Sequence, residues 1–142
     1  MLKYLNTDLD IESAEDLSPL VPVFEESCIV LHAEAMQDGR WIIRVEADRL
    51  GESEEAIANP ERDIELLLEV LRNFDTESKK MLHQAALLDF NIGWESAKEL
   101  PPSSFRLSTK LLGKIAEAGA TLTTTIYPTE DAYPKSDLDR NG

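Results

Sequence analysis

The sequence predicts an α+β domain: a mostly antiparallel sheet of about five strands with helices on one face. Three observations carry that expectation. Apolar residues recur at every second position in several separated stretches, the period of a half-buried strand. Other stretches place apolar residues at helical spacing, so each of those helices has one stripe to bury. Asp38-Gly39 joins two of the alternating stretches, which is a strong hairpin signal.

Taken in chain order, Leu5, Leu9 and Ile11 alternate with Asn6, Asp8, Asp10 and Glu12, giving a first strand near residues 2–12. Ser13-Ala14-Glu15-Asp16 has the pattern of a capping box. Ser18-Pro19 offers a second helix start, with Pro at the first helical position. The better-formed helix is expected at 18–27, with Leu20, Val23 and Phe24 inward. Pro22 still falls in its first turn, where a missing N–H costs little. Ile29, Leu31, Ala33 and Ala35 then alternate with Val30, His32, Glu34 and Met36 in a second strand. Beyond the Asp-Gly pair, Trp41, Ile43, Val45 and Ala47 alternate with Arg40, Ile42, Arg44, Glu46 and Asp48 in a third.

Residues 49–59 are polar, with Gly51, Glu52, Glu54 and Glu55, and read as a loop. Asn59-Pro60 starts a helix whose stripe is Ile64, Leu67, Leu68, Leu71 and Phe74, widened by Leu66 and Val70. Asp75-Thr76-Glu77 restarts a shorter helix with Met81, Leu82, Ala85 and Ala86 on its apolar face. Leu88, Phe90, Ile92 and Trp94 alternate with Asp89, Asn91, Gly93 and Glu95 in a fourth strand, and Pro101-Pro102-Ser103-Ser104 breaks the chain. Ser108 can cap a helix running to Ala118, with Leu111, Leu112 and Ile115 inward and Gly119 as the left-handed residue past its end. Leu122, Thr124 and Ile126 alternate with Thr121, Thr123, Thr125 and Tyr127 in a fifth strand. Residues 1–128 form one expected domain, and residues 129–142 a flexible acidic tail. The order β-α-β-β-α-α-β-α-β begins as a split β-α-β unit, ferredoxin-like, with an added α-β unit.

A length of 142 residues with 42% hydrophobic content suits a single core. The chain carries 28 acidic and 14 basic side chains, a net charge of -14. That balance argues against nucleic acid and anionic membranes as partners, because both are polyanions bound through clustered cations. It favours a basic protein, whose encounter long-range attraction would accelerate. No apolar run is long enough to span a bilayer, and residues 1–8 lack a basic segment followed by an apolar one, so a cytoplasmic location is expected.

The single cysteine, Cys28, forms no intrachain disulfide. As a nucleophile it would need a paired histidine and a helix N-terminus, so a packed small hydrophobe is expected instead. One cysteine and two histidines cannot complete a four-ligand zinc site without carboxylates. Gly113 and Gly119 belong to a helix and its end, not to a phosphate loop. No Gly-x-Ser-x-Gly, His-Glu-x-x-His or Cys-x-x-Cys pattern occurs. The expectation is a protein without a cofactor that is not an enzyme.

If odd positions of the first three strands face the helices, the opposite face gathers Asp8, Asp10, Glu12, His32, Glu34, Arg44 and Glu46. The fourth and fifth strands add Asp89, Asn91, Thr123, Thr125 and Tyr127. The leading expectation is a docking surface for a basic protein, although an ordinary solvated sheet face has the same pattern. One alternative is a small-ligand or metal site around His32, Asp10 and Asn91. Asp8, Asp10 and Glu12 share a face in oxygen-ligand fashion, but no Asp-x-Asp-x-Asp-Gly loop follows to wrap an ion. A second alternative is a hydrolase near His32, with Glu34 or Asp10 completing an acid–base pair. His83, one turn from Lys79 and Lys80, reads as a surface residue. A homodimer through a sheet edge, or through Val30, Met36 and Ile42, stays open.

Three segments carry a resemblance: Leu9-Asp10-Ile11-Glu12-Ser13-Ala14-Glu15-Asp16-Leu17, Asp89-Phe90-Asn91-Ile92-Gly93, and the stretch from Leu111 to Tyr127 with its Ile126-Tyr127-Pro128 ending. Together they resemble a group of uncharacterised bacterial proteins of about this size. That group is similar to small α+β families that include immunity proteins of bacterial toxin systems. The resemblance implies a fold and a style of partner, and it transfers no functional residue.

Overall fold

The computed structural model describes residues 2–48, 59–96 and 104–128. The tail expected at 129–142 lies outside them, as does the loop expected at 49–59 except Asn59, and the break at 101–104 except Ser104. The chain is α+β, with a five-stranded mixed sheet and, among the described residues, four helices. The order along the chain is β1 (Lys3–Ser13), α1 (Leu20–Glu25), β2 (Cys28–Ala35), β3 (Trp41–Ala47), α2 (Pro60–Arg72), α3 (Thr76–Gln84), β4 (Leu87–Ser96), α4 (Thr109–Glu117) and β5 (Thr121–Pro128). Across the sheet the order is β2-β3-β1-β4-β5. The pairs β2–β3, β3–β1 and β1–β4 are antiparallel, and β5 runs parallel to β4. A parallel neighbour needs a crossover, which α4 supplies.

Local chemistry starts and stops most elements. The Asn59 side chain accepts from the Arg62 N–H at 2.8 Å, with Pro60 at the first helical position. Asp75 accepts from the Ser78 N–H at 2.7 Å, and Ser108 from the Leu111 N–H at 3.1 Å. At the far end of α4, Gly119 takes φ +73° while the Ala120 N–H reaches back to the Ile115 carbonyl at 3.1 Å, a Schellman closure. The hairpin turns through Gln37, Asp38 and Gly39. Met36 N–H meets the Arg40 carbonyl, and Gly39 carries φ +90°. This three-residue loop with a left-handed glycine matches the strand twist.

One core collects the buried apolar side chains. Leu9 and Ile11 of β1, Ile43 and Val45 of β3, and Leu88, Phe90 and Ile92 of β4 meet Leu20 and Phe24, Ile64 and Leu67, and Leu111 and Ile115 from the helices. Trp41 and Trp94 pack against this cluster, as the strand alternation predicts. Phe24 and Phe74 meet edge-on, with ring centroids 5.0 Å apart.

Several expectations are corrected. Bulges break the period of β1 between Tyr4 and Asn6 and of β2 between Val30 and His32. Each inserts an unpaired residue and so flips the alternation on one side of it. Leu5 is therefore exposed, Ile29 faces away from the core, and Val30 packs against it, which removes Val30 from any outward apolar patch. The short α1 begins at Leu20 with no side-chain cap. Ser13 and Asp16 accept from the N–H of Glu15 and of Ser18, each two residues on, and so shape turns instead of capping a helix. Ala85 and Ala86 lie past α3, and the Ala86 N–H joins the sheet at the Glu12 carbonyl. Leu112 is exposed because it points about 100° around α4 from Leu111. Leu122 and Ile126 align with Phe90 and Trp94 on the core side, yet stay 38% and 54% exposed on edge strand β5.

This asymmetry sets an expected outcome. Phe90→Ala should cost about 3–5 kcal/mol. Leu122→Ala, on the same sheet face one strand over, should cost under about 1 kcal/mol. Urea midpoints of the two variants measure the contrast, and equal losses would refute a core that ends at β4.

Candidate functional site

The face of the sheet turned away from the core is polar, and the strand register arranges it in cross-strand rows. One row reads His32, Arg44, Asp10, Asp89, Thr121 from β2 to β5. The next reads Ile29, Glu46, Asp8, Asn91, Thr123. Flanking these, Glu34 lies beside Ile42 and Glu12, Asn6 beside Gly93 and Thr125, and Glu95 beside Tyr127. All ten residues that the sequence singles out, Asp8, Asp10, Glu12, His32, Glu34, Arg44, Glu46, Asp89, Asn91 and Tyr127, thus fall on one face. The alternation of β1, β3 and β4 suffices to place them, because directly paired residues share a face.

Arg44 organises the centre. Its Nε donates to Asp10 Oδ1 at 2.7 Å and lies 3.9 Å from Asp8 Oδ2. The hydrogen bond and charge of Asp10 raise the Arg44 pKa further, so the guanidinium stays charged. At the hairpin end, Arg40 Nη1 reaches Glu12 Oε1 at 3.2 Å while its Nε holds Asp38. Asp8 is less well served. Partial burial, then the neighbouring Asp10 charge, push its pKa up from 3.8 to about 6, against the lowering effect of Arg44, and Glu46 opposite adds to the rise. Asn6 Nδ2 donates to Asp8 Oδ1 at 3.0 Å.

Toward β5 the face is a ladder of hydroxyls. Thr121 and Thr123 both donate to Asp89 Oδ1, at 2.7 and 2.9 Å, and Thr125 donates to Asn91 Oδ1 at 2.8 Å. Asp89 is buried, so these donors replace the water it gives up. Gly93 matters for its missing side chain. A β-carbon there would stand 2.9 Å from Asn6 Oδ1 and 3.5 Å from the Tyr127 ring. Where the β1–β3 pairing ends at Asp8–Glu46, a hollow of about 250 Å³ opens beside Leu5, Asn6, Ile29 and Glu46. Sequence pattern missed Ile29 and Leu5 here because a bulge leaves no composition signal. Asn6 and Thr121 were on the alternating positions and could have been named.

The acid–base pairings read from the sequence fare differently. His32 Nε2 meets Glu34 Oε1 at 3.2 Å, with both side chains well exposed. His32 and Asp10 are separated by Arg44, which holds Asp10. Asp8, Asp10 and Glu12 share the face, but Arg44 and Arg40 occupy two of their carboxylates. Among the described residues, no three His, Cys, Asp or Glu side chains converge in a way that could hold a metal ion. Cys28 is buried in the core, and burial, then the charge of Asp48, push its thiol up to about 11. It is protonated at neutral pH and a poor nucleophile. No described helix is long and apolar enough to cross a membrane. Comparison of the chain with protein-family models, curated proteins and solved structures gives no match.

Two outcomes follow. An aspartate whose folded pKa lies above its unfolded value binds its proton more tightly when folded, so its ionisation destabilises the fold. The penalty is absent below pH about 4, grows toward pH about 6 and is complete above it. Asp8→Asn should therefore stabilise the protein by about 1 kcal/mol at pH 8, after allowance for solvent screening, and leave pH 3.5 unchanged. Urea unfolding at the two pH values reads this out. Separately, a thiol reagent such as DTNB should label Cys28 at least about a hundredfold faster in denaturant than in the native protein.

Proposed function

We propose that the protein is an interaction module whose polar sheet face binds a basic protein, in the manner of an immunity protein that caps a toxin. The observation that carries this reading is the charge of the ordered rows. Asp8, Asp10, Glu12, Glu34, Glu46, Asp89 and Glu95 stand on one face and outnumber its cations, which are Arg44 at the centre, Arg40 at the hairpin end and Lys3 opposite Glu95. Gathering carboxylates on a half-buried surface costs stability: burial first, then the neighbouring Asp10 charge, and least the Glu46 charge opposite, raise the pKa of Asp8. A cationic partner would relieve that cost. The hollow beside Glu46 suits a partner Lys or Arg, its stem along Leu5 and Ile29 and its charged head at the carboxylate.

The framework is read as a ferredoxin-like unit with an added α-β unit and its helices gathered on one face. The order β4-β1-β3-β2, antiparallel throughout, supports the first part, and the single core cluster supports the second. A cytoplasmic setting fits the same reading.

A charge-matched pair of variants tests the face and not merely the net charge. Glu34→Lys with Glu46→Lys should weaken a captured basic partner at least about tenfold and flatten the salt dependence of its affinity. Glu65→Lys with Glu69→Lys, on exposed positions of α2, changes the net charge equally and should have little effect. Because the partner favours ionised Asp8, affinity should also rise as pH increases toward 6 and level off above it. Equal losses from both variants, or an affinity indifferent to salt, would sink the proposal.

A further inference from the structure

A second cavity, of about 320 Å³, lies on the other side of β4 from the polar face, where α2, α3 and α4 converge. Its apolar lining is Leu68, Leu71, Leu82 and Leu88. Its cationic lining is Arg72 from α2, Lys79 from α3 and Lys114 from α4, with the imidazole of His83 beside them and the carboxylate of Glu117 opposite. In a chain where acids outnumber bases 28 to 14, cations gathered from three helices around one cavity are unexpected.

Helix dipoles account for part of this. Arg72 and Lys114 sit in the last turns of their helices, where positive charge is favoured. Lys79 does not fit that account. It lies in the first half of α3, near the end where positive charge is disfavoured. Among the described residues, Arg72, Lys79 and Lys114 have no ion pair, whereas Arg40 and Arg44 on the polar face are each held by two carboxylates. The cavity therefore combines an aliphatic floor with three cations that form no ion pair among the described residues.

We propose that this cavity binds a small amphipathic organic anion: a medium-chain aliphatic carboxylate, with its chain on the leucine floor and its head group among Arg72, Lys79 and Lys114. The volume lies at the small end of ligand cavities, which run about 300–1,000 Å³, so the ligand is a medium-length acyl chain and not a long lipid. An aliphatic lining recognises a chain by area and supplies no hydrogen bond to it, so the cations provide the orientation. The polar sheet face takes no part, and this site stands whether or not that face binds a protein.

The test is a ¹⁵N chemical-shift titration of the full chain with sodium octanoate, 1-octanol and inorganic phosphate in parallel. Octanoate should saturate, with the largest shifts at Leu68, Leu71, Leu82, His83 and Leu88. Octanol should bind at least about tenfold more weakly, and phosphate should not saturate. Lys79→Ala with Lys114→Ala should weaken octanoate at least about tenfold and leave octanol binding unchanged. Both lysines lie at the surface or near it, so the fold should survive, as an unchanged thermal midpoint would verify. Equal affinity for octanol and octanoate would overturn the proposal by showing a merely apolar hole. Saturation by phosphate alone, or octanoate shifts confined to the polar face, would overturn it as well.

Discussion

Strand β1 is the constraint on which the rest of the sheet depends. It is hydrogen-bonded on both sides, antiparallel to β3 and to β4, and its side chains alternate without a break from Asn6 to Ser13. Thr7, Leu9, Ile11 and Ser13 are buried, while Asp8, Asp10 and Glu12 point the other way. Paired residues share a face, so this one alternation dictates which residues of β3 and β4 enter the core, and through them those of β2 and β5. A slip of one residue would drive three carboxylates into the core, at a desolvation cost no small domain could sustain. The hydrophobic pattern and the charge pattern are thus one specification.

The polar face shows how carboxylates are tolerated at close quarters. Asp10 is satisfied by Arg44, Glu12 by Arg40 and Asp89 by two threonine hydroxyls. Asp8 receives one amide hydrogen bond and a distant guanidinium, and it faces Glu46 directly. Burial, and after it the charges of Asp10 and Glu46, therefore weigh on Asp8 with little compensation. Total stabilities of small domains are about 5–15 kcal/mol, so even one poorly compensated carboxylate is a noticeable fraction.

Much of this was legible in the sequence because the signals were local. Asn59-Pro60, Asp75 and Ser108 each announce a helix start through a side chain that accepts from an N–H three residues on. Asp38-Gly39 announces the hairpin, and period two places the residues of the candidate face. The failures were equally physical. A bulge is a single extra residue with no compositional mark, so the phase errors at Leu5 and Ile29 could not be seen in an alternating run. Ser13 and Asp16 use their oxygens for turns, which is what the same side chains do wherever no helix follows. The exposure of Ile126 depends on the sheet order, which is a property of topology. The cavity cations are scattered from Arg72 to Lys114, and only packing brings them together.

Strand β5 forms one edge of the sheet, beside β4. It is joined to the sheet by one parallel ladder and by three threonine hydroxyls, with Leu122 and Ile126 contributing little to the core. The four strands before it already form a continuous antiparallel unit. Local opening therefore has a natural place to start at this edge strand, whose release leaves the four-stranded antiparallel unit paired. Peeling would strip Asp89 of both hydroxyl donors and return its carboxylate to water. In a sheet built this way, the hydroxyls that fasten an edge strand also keep one of the chain's buried acids out of water.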